Sequence, residues 1–202
     1  MKKFFIVLSV MLFSVGAYAQ HEVGSLTIQP KVGLNITSIT NTVSPKARVG
    51  LALGAELESQ ITNKFSLSVG ALYSQQGAKS SGVSQGIYVK NTIKIDYINI
   101  PIMANVYVVK GLAFKAGIQP GININASYSG TAEGITVSGS LSDLGINIKT
   151  LDFSVPVGLS YEYKNFVLDG RYNIGVTNMA KDDVDKSKNS VFQFTIGYKF
   201  NL

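Results

Sequence analysis

The stretch Phe192-Gln193-Phe194-Thr195-Ile196-Gly197-Tyr198-Lys199-Phe200-Asn201-Leu202 alternates apolar and polar side chains down to the last residue. Phe192, Phe194, Ile196, Tyr198, Phe200 and Leu202 share one face, and Gln193, Thr195, Gly197, Lys199 and Asn201 share the other. Successive side chains of an extended strand point to opposite sides, whereas a helix, repeating about every 3.6 residues, would mix the two sets. The stretch therefore reads as a strand with one apolar and one polar face.

The same alternation recurs upstream. Val49, Leu51, Leu53, Ala55 and Leu57 stand against Arg48, Gly50, Gly54, Glu56 and Glu58. Phe114, Ala116, Ile118, Ile122 and Ile124 stand against Lys115, Gly117, Gln119, Asn123 and Asn125. Phe153, Val155, Val157, Leu159 and Tyr161 stand against Asp152, Ser154, Ser160 and Glu162. Segments 26–36, 65–73 and 166–176 behave alike, and 93–108 is less regular. About eight strands of roughly 11–16 residues result, and a tilted bilayer crossing needs about 9–11.

Composition agrees. A chain of 202 residues fits one domain, and 46% hydrophobic against 15% charged residues excludes a disordered one. Mean hydropathy is +0.21, yet past the leader no apolar run approaches the roughly 18–20 residues of a membrane helix. Cysteine is absent, which excludes disulfides, thiolate metal sites and a cysteine nucleophile.

The leader occupies residues 1–19. Lys2 and Lys3 form a basic start, residues 4–15 an apolar stretch too short to span, and Ala17-Tyr18-Ala19 a small-x-small cleavage site. Cleavage after Ala19 is expected, with a retained anchor as the alternative, and residues 20–202 then form the barrel domain. Loss of Lys2 and Lys3 takes the formal charge from +6 to +4. The remaining excess is scattered, with no basic cluster suited to nucleic acid.

These features predict an all-β fold, a single antiparallel transmembrane up-and-down β-barrel of about eight strands in the outer membrane. The polar face carries glycines, small polar residues and charges of both signs, as a narrow lumen packed by its own side chains would. Phe65, Tyr107, Phe114, Tyr161, Tyr163, Phe166 and Phe200 lie near short turns or the terminus, where an interfacial girdle is expected. A soluble lipocalin-like barrel, with its apolar face inside, is the alternative. Short connections at 62–64, 109–111 and 164–165 alternate with long ones at 40–46, 79–90, 127–149 and 180–189. Barrels of this kind have short periplasmic turns and longer external loops. Gly111 suits the left-handed position of a three-residue hairpin loop. The third long loop, rich in Gly, Ser and Thr, is expected to be mobile.

Pro30, Pro101, Pro120 and Pro156 fall inside strands although each lacks a ladder donor. Counting from the turn at 109–111 sets Pro120 opposite Ile100 and Pro101 opposite Gln119. Bulges or strand ends near that point would absorb the conflict.

Tyr97-Ile98-Asn99-Ile100-Pro101-Ile102-Met103-Ala104, followed by Gly111-Leu112-Ala113-Phe114-Lys115-Ala116-Gly117, resembles the strand signature of the PorT-like outer-membrane β-barrel family of Bacteroidetes, a small barrel of OmpA/OmpX type. Asp169-Gly170-Arg171-Tyr172-Asn173-Ile174-Gly175 resembles it too, and Asn99 stands where a glutamate is common. The resemblance implies a cell-envelope barrel. The family takes its name from a protein linked to secretion of surface proteases, and it brings no catalytic residue.

Enzymatic chemistry has little to work with. The one histidine, His21, precedes the first strand, where an unstructured terminus is expected. Glu56 with Glu58, and Asp169 with Arg171, share lumen-facing edges. They read as a salt-bridge network with Lys31, Arg48, Lys115 and Lys199, because buried charges must be paired. Asp182-Asp183-Val184-Asp185 is offset by Lys181, Lys186 and Lys188 and lacks the glycine and terminal glutamate of a calcium loop. No catalytic, cofactor-binding or metal residue is assigned, and the chain reads as no enzyme.

The expected role is a barrel that anchors in the outer membrane and presents surface loops for interaction, adhesion or envelope and secretion-related assembly. A small-solute pore is the alternative. Expected partners are outer-membrane lipid and lipopolysaccharide, and the barrel-assembly machinery gripping the final strand during insertion; the loop partner is unnamed. Mass spectrometry of the native protein should find Gln20 at the N-terminus. An intact Met1 in membrane fractions would refute the cleaved leader.

Overall fold

A computed structural model describes residues 22–40, 46–84, 87–179 and 187–202. Its strands are β1 (Leu26–Ile39), β2 (Lys46–Thr62), β3 (Phe65–Ser84), β4 (Ile87–Asn99), β5 (Ile102–Val109), β6 (Leu112–Ala132), β7 (Ile135–Ser140), β8 (Leu151–Tyr163), β9 (Phe166–Gly175), β10 (Asn189–Tyr198) and β11 (Phe200–Asn201). A short 3-10 turn spans Leu141–Leu144. No helix among the described residues is long and apolar enough to cross a membrane.

Antiparallel pairing runs β1-β2-β3-β4-β6-β8-β9-β10 and returns to β1. β4 and β5 are halves of one stave, each pairing with β3 and β6. β10 and β11 are halves of another, both pairing with β1. β7 pairs with β6 alone. Eight staves therefore close the ring, as the alternation predicts.

The prolines explain where the staves break. The β1 ladder holds Lys31 opposite Gly197 and Ile28 opposite Phe200, and skips Gln29 and Pro30. Ile100 and Pro101 separate β4 from β5, between the pairs Asn99–Gly121 and Ile102–Ile118. That register sets Pro120 opposite Ile100 and Pro101 opposite Gln119, as the count from the turn predicts. The neighbouring groups stay paired: Ile100 donates its N–H to the Pro120 carbonyl at 2.8 Å, and Gly70 donates to the Pro101 carbonyl at 3.0 Å. Pro156 lies in the gap of the β6–β8 ladder between Ala116–Val157 and Gln119–Ser154. Each proline thus interrupts a ladder locally while the stave continues.

Which face points out is settled by burial. Leu34, Leu53, Ile118, Leu159 and Phe194 are exposed, whereas Gln29, Lys31, Asn35, Glu56 and Gln193 are buried. The apolar surface lies outside, the inverse of a lipocalin-like barrel, so the outer face is built for lipid. Aromatics ring the end that carries the short turns. Phe114, Tyr161, Tyr163, Phe166 and Phe200 are exposed there, and the Tyr198 ring stacks at 5.0 Å on Phe166 and 4.7 Å on Phe200.

Three expectations need correction. Tyr107 does not join the girdle. It pairs with Ala113 on the inward face and is buried, because the register shift between Tyr107 and Val109 absorbs one residue before the turn. Gly111 does take the left-handed conformation there, at φ +87°.

Segment 79–90 is largely ladder, since β3 and β4 pair as far as Ser84 and Ile87. Segment 127–149, expected to be a mobile loop, continues β6 to Ala132 and returns as β7 through Glu133 (φ +48°) and Gly134 (φ +82°). Two successive positive φ values match the twist of a tight hairpin. β3, β4, β6 and β7 consequently extend past the barrel as a four-stranded antiparallel sheet. Residues 41–45 and 180–186, within two of the long loops, lie outside the described residues, as does His21.

With every barrel stave paired on both sides, the folded protein should stay intact in SDS without boiling and change its migration after heating. Substantial helix by circular dichroism of the mature chain would be incompatible with this fold.

Candidate functional site

The lumen is filled in layers. Nearest the short turns, Lys199 sits between Glu58 and Glu162, 2.9 Å from each. Tyr107 donates to Glu58 at 2.5 Å and accepts from Lys199 at 3.1 Å. Ser66 adds a donor to Glu58 at 2.6 Å.

The next layer joins strands from across the barrel. Glu56 from β2 and Asp169 from β9 are bridged by Arg171, at 2.9 and 2.7 Å. Lys31 from β1 reaches the same two carboxylates at 2.9 and 3.5 Å, and Lys115 from β6 at 3.4 and 2.9 Å. Three cations thus share two carboxylates, while in the layer below one cation serves two. The two imbalances cancel. Space for the guanidinium comes from Gly158, opposite Arg171, where a Cβ would lie 2.8 Å from that of Arg171.

Above the charges the filling becomes neutral. Gln193 donates to Asn35 at 2.9 Å, and Asn35 donates to Ser74 at 3.0 Å. Higher still, Asn189 donates to Tyr97 at 3.3 Å and to Asp152 at 3.1 Å, and Thr177 donates to Asp152.

Over this stands an apolar cap of Ile39, Ala78, Ile95, Tyr97, Leu141 and Met179, with Ile93, Tyr128 and Ile148 packed against it. Leu141 opens the 3-10 turn, whose N-terminus is held by the Ser140 side chain and by Asp143 bonding back to the Ser140 N–H. Lys149 donates its N–H to the Met179 carbonyl at 2.7 Å, tying two sides of the cap together.

The structure brings together Lys31, Glu56, Lys115, Asp169 and Arg171, with Glu58 and Lys199 beside them, as the polar alternation predicts. Arg48 stands apart and bonds to the backbone carbonyl of Gln76. From the sequence Glu162 is placed on the polar face but outside the expected salt-bridge network, Tyr107 is placed in the girdle, and the cap is not anticipated. The signal for the cap is there: Ile93, Ile95 and Tyr97 alternate with Thr92, Lys94 and Asp96, so the apolar face of this stave is the opposite one from that of Ile98, Ile100 and Ile102 further along it. Among the described residues no group of three or more His, Cys, Asp or Glu could hold a metal ion. The Asp182–Asp185 run lies outside the described residues.

Removing one member of a buried ion network leaves its partners desolvated and uncompensated. Glu56→Gln would leave three cations on Asp169 alone. Urea unfolding in lipid vesicles should show a loss of about 3–5 kcal/mol, with no comparable loss for Glu22→Gln at the exposed start of the described chain.

The fold has counterparts among known proteins. The attachment invasion locus protein Ail of Yersinia pestis, solved with the heparin analogue sucrose octasulfate, is similar with a TM-score of 0.51 at 12% identity, over 89% of this chain and 100% of that one. Neisserial surface protein A aligns at 0.49 and 14% identity, over 87% of this chain and 97% of that one. OprG of Pseudomonas aeruginosa aligns at 0.39 and 12% identity, over 91% and 99%. At such identities the likeness concerns the fold. No curated protein sequence matches. The profile described as "Outer membrane protein beta-barrel domain" matches residues 18–181, most of the chain. The chain belongs to this outer-membrane β-barrel family.

Proposed function

We propose that this protein is a sealed, non-enzymatic barrel that anchors in the outer membrane and presents its external strands and loops for interaction, adhesion or envelope assembly. One observation carries the reading. The lumen is occupied from Lys199 at one end to the Leu141–Met179 cap at the other. An eight-stranded ring has room for little beyond its own side chains, whereas porins with open channels have about 16–18 strands. Glu56, Asp169, Glu58 and Glu162 are each bonded to cations within the network, and Asp152 accepts from Asn189 and Thr177, which suits filling better than acid–base work.

A PorT-like place within the family rests on the Tyr97–Ala104 and Asp169–Gly175 motifs, and with it a role in secretion-related assembly. An adhesive role rests on analogy with Ail, itself an attachment invasion locus protein. The partners in this reading are membrane lipid and lipopolysaccharide around the apolar band, and the assembly machinery at β11. Phe200 and Leu202 face outward there, and Leu202 donates to the Leu26 carbonyl at 2.9 Å where the ring closes.

Purified protein in planar bilayers should show no steady conductance. Large, stable openings would replace this reading with the pore.

A further inference from the structure

The sheet that extends past the barrel has two unlike faces. Ala78 and Ile93 point into the apolar cap. Their chain neighbours Lys79, Thr92 and Lys94 must therefore point away from the barrel axis, because strand side chains alternate. Lys46 lies directly opposite Lys79, and Lys79 directly opposite Thr92, so Lys46 shares that face. Lys90, two residues from Thr92, shares it as well. All four lysines are exposed.

Like charges directly opposite across a ladder repel, yet here Lys46 faces Lys79 with Lys90 one strand away. None of the four forms an ion pair with a described residue. Lys46 donates to the Ser81 hydroxyl at 2.6 Å, and the Lys90 ammonium lies 5.7 Å from the centre of the Tyr88 ring. The Ser81 hydrogen bond, then the charges of Lys46 and Lys90, hold the pKa of the Tyr88 phenol below its ordinary value. Farther across the face stand hydroxyls. Ser129 lies opposite Thr92, Thr131 opposite Lys90, and Thr131 and Thr136 are 2.9 Å apart.

Height above the membrane narrows the ligand. Val49 is the last exposed large hydrophobic residue of β2 before Lys46, three residues on. At about 3.3 Å per residue the lysines begin roughly 10 Å along the strand from the apolar band. On strands tilted about 40° that is a height of roughly 8 Å, at the outer edge of the headgroup layer, since a bilayer of about 40–45 Å has a hydrocarbon core of about 30 Å. The outward face of one sheet thus passes from apolar side chains to lysines, with Val83 and Tyr88 exposed beyond them, and laterally from lysines to hydroxyls.

We propose that Lys46, Lys79, Lys90 and Lys94 form a binding face for the phosphates of a phosphorylated glycolipid in the outer leaflet, with the neighbouring Ser and Thr hydroxyls meeting its sugars. The assignment rests on the membrane reading above and adds a specific site to it. A lipid is the occupant because the face continues the lipid-facing band and looks sideways along the membrane. Phosphate would supply the anion that the Lys46–Lys79 pair lacks among the described residues.

The test uses the full mature chain in nanodiscs carrying bisphosphorylated lipid A, monophosphorylated lipid A or neither, with retained lipid measured by native mass spectrometry. Wild type should retain the bisphosphorylated form in preference. The variant K46Q/K79Q/K90Q/K94Q should lose roughly tenfold or more, on the scale of several lysines each contributing near an anionic surface. K46R/K79R/K90R/K94R should keep the binding. Undiminished binding by the glutamine variant, or indifference to phosphate number, overturns the proposal. Equal binding of the deacylated, soluble phosphosugar overturns the lipid as its source. Migration before and after heating is followed in parallel. A variant that keeps its heat shift but still prefers the bisphosphorylated lipid refutes the site and leaves the barrel standing, whereas a wild-type chain that never inserts refutes both.

Discussion

Hydrocarbon offers a backbone no hydrogen-bond partner, so every N–H and C=O within it must be paired inside the protein, each failure costing several kcal/mol. Most of this architecture follows from that demand. β1 must find β10, which lies more than a hundred residues away, and the register from Lys31–Gly197 to Ile39–Asn189 provides the closure. β11 completes it beside Ile28. Where Pro30 removes a donor, the ladder lapses over two residues and resumes, and at Pro101 the Ile100 N–H finds the Pro120 carbonyl of β6 while the Pro101 carbonyl accepts from Gly70 of β3.

Closure in turn dictates what the lumen may hold. Eight staves leave an interior one side chain deep, so each inward residue must meet another from across the ring. Charges can be placed there only if they balance within hydrogen-bond reach, because a lone buried ion is too costly. The surplus cation of the Arg171 layer stands against the surplus carboxylate of the Lys199 layer, and inward glycines such as Gly158 open the space these long side chains need. Networks of this kind contribute less to stability than their contact count implies, since desolvation offsets attraction. Their larger effect is on register. A slip of one residue in any stave would carry Glu56, Lys115 or Arg171 to the lipid side.

Much of this was legible in the sequence because the period of two is a direct image of the two faces. Leu51 and Phe194 outside, Glu56 and Gln193 inside, and the register of Pro101 with Pro120 could be counted from residues alone. Tyr107 was not, because its parity depends on a bulge next to the turn that composition does not reveal. Glu162 was on the right face, but its partner Lys199 belongs to a stave reached only by folding. The cap was missed for a different reason. Ile95 and Tyr97 sit on an inward face taken to be polar, and they are apolar because the mouth of the barrel is closed by Leu141 and Met179 from remote connections. Thr131, Ile135 and Val137 show β-type alternation, but the surrounding Gly and Ser masked it as loop.

The same rule that closes the ring explains why the extending sheet need not close. Beyond the hydrocarbon, water satisfies a free strand edge, and among the described residues β7 pairs on one side only. Strands there are released from the demand that their outward faces be apolar, so the outward sides of β2, β3 and β4 change character, from Val49, Leu67 and Val69 to Lys46, Lys79, Lys90 and Lys94. The inward side changes in the opposite sense, from Glu56 and Asn35 below to Ile93, Ile95 and Tyr128 above, because it now packs on the cap instead of a charged lumen. The two faces therefore exchange polarity at the membrane boundary while the backbone runs on unbroken. The height at which that exchange occurs, rather than any loop, marks where this protein meets the headgroups.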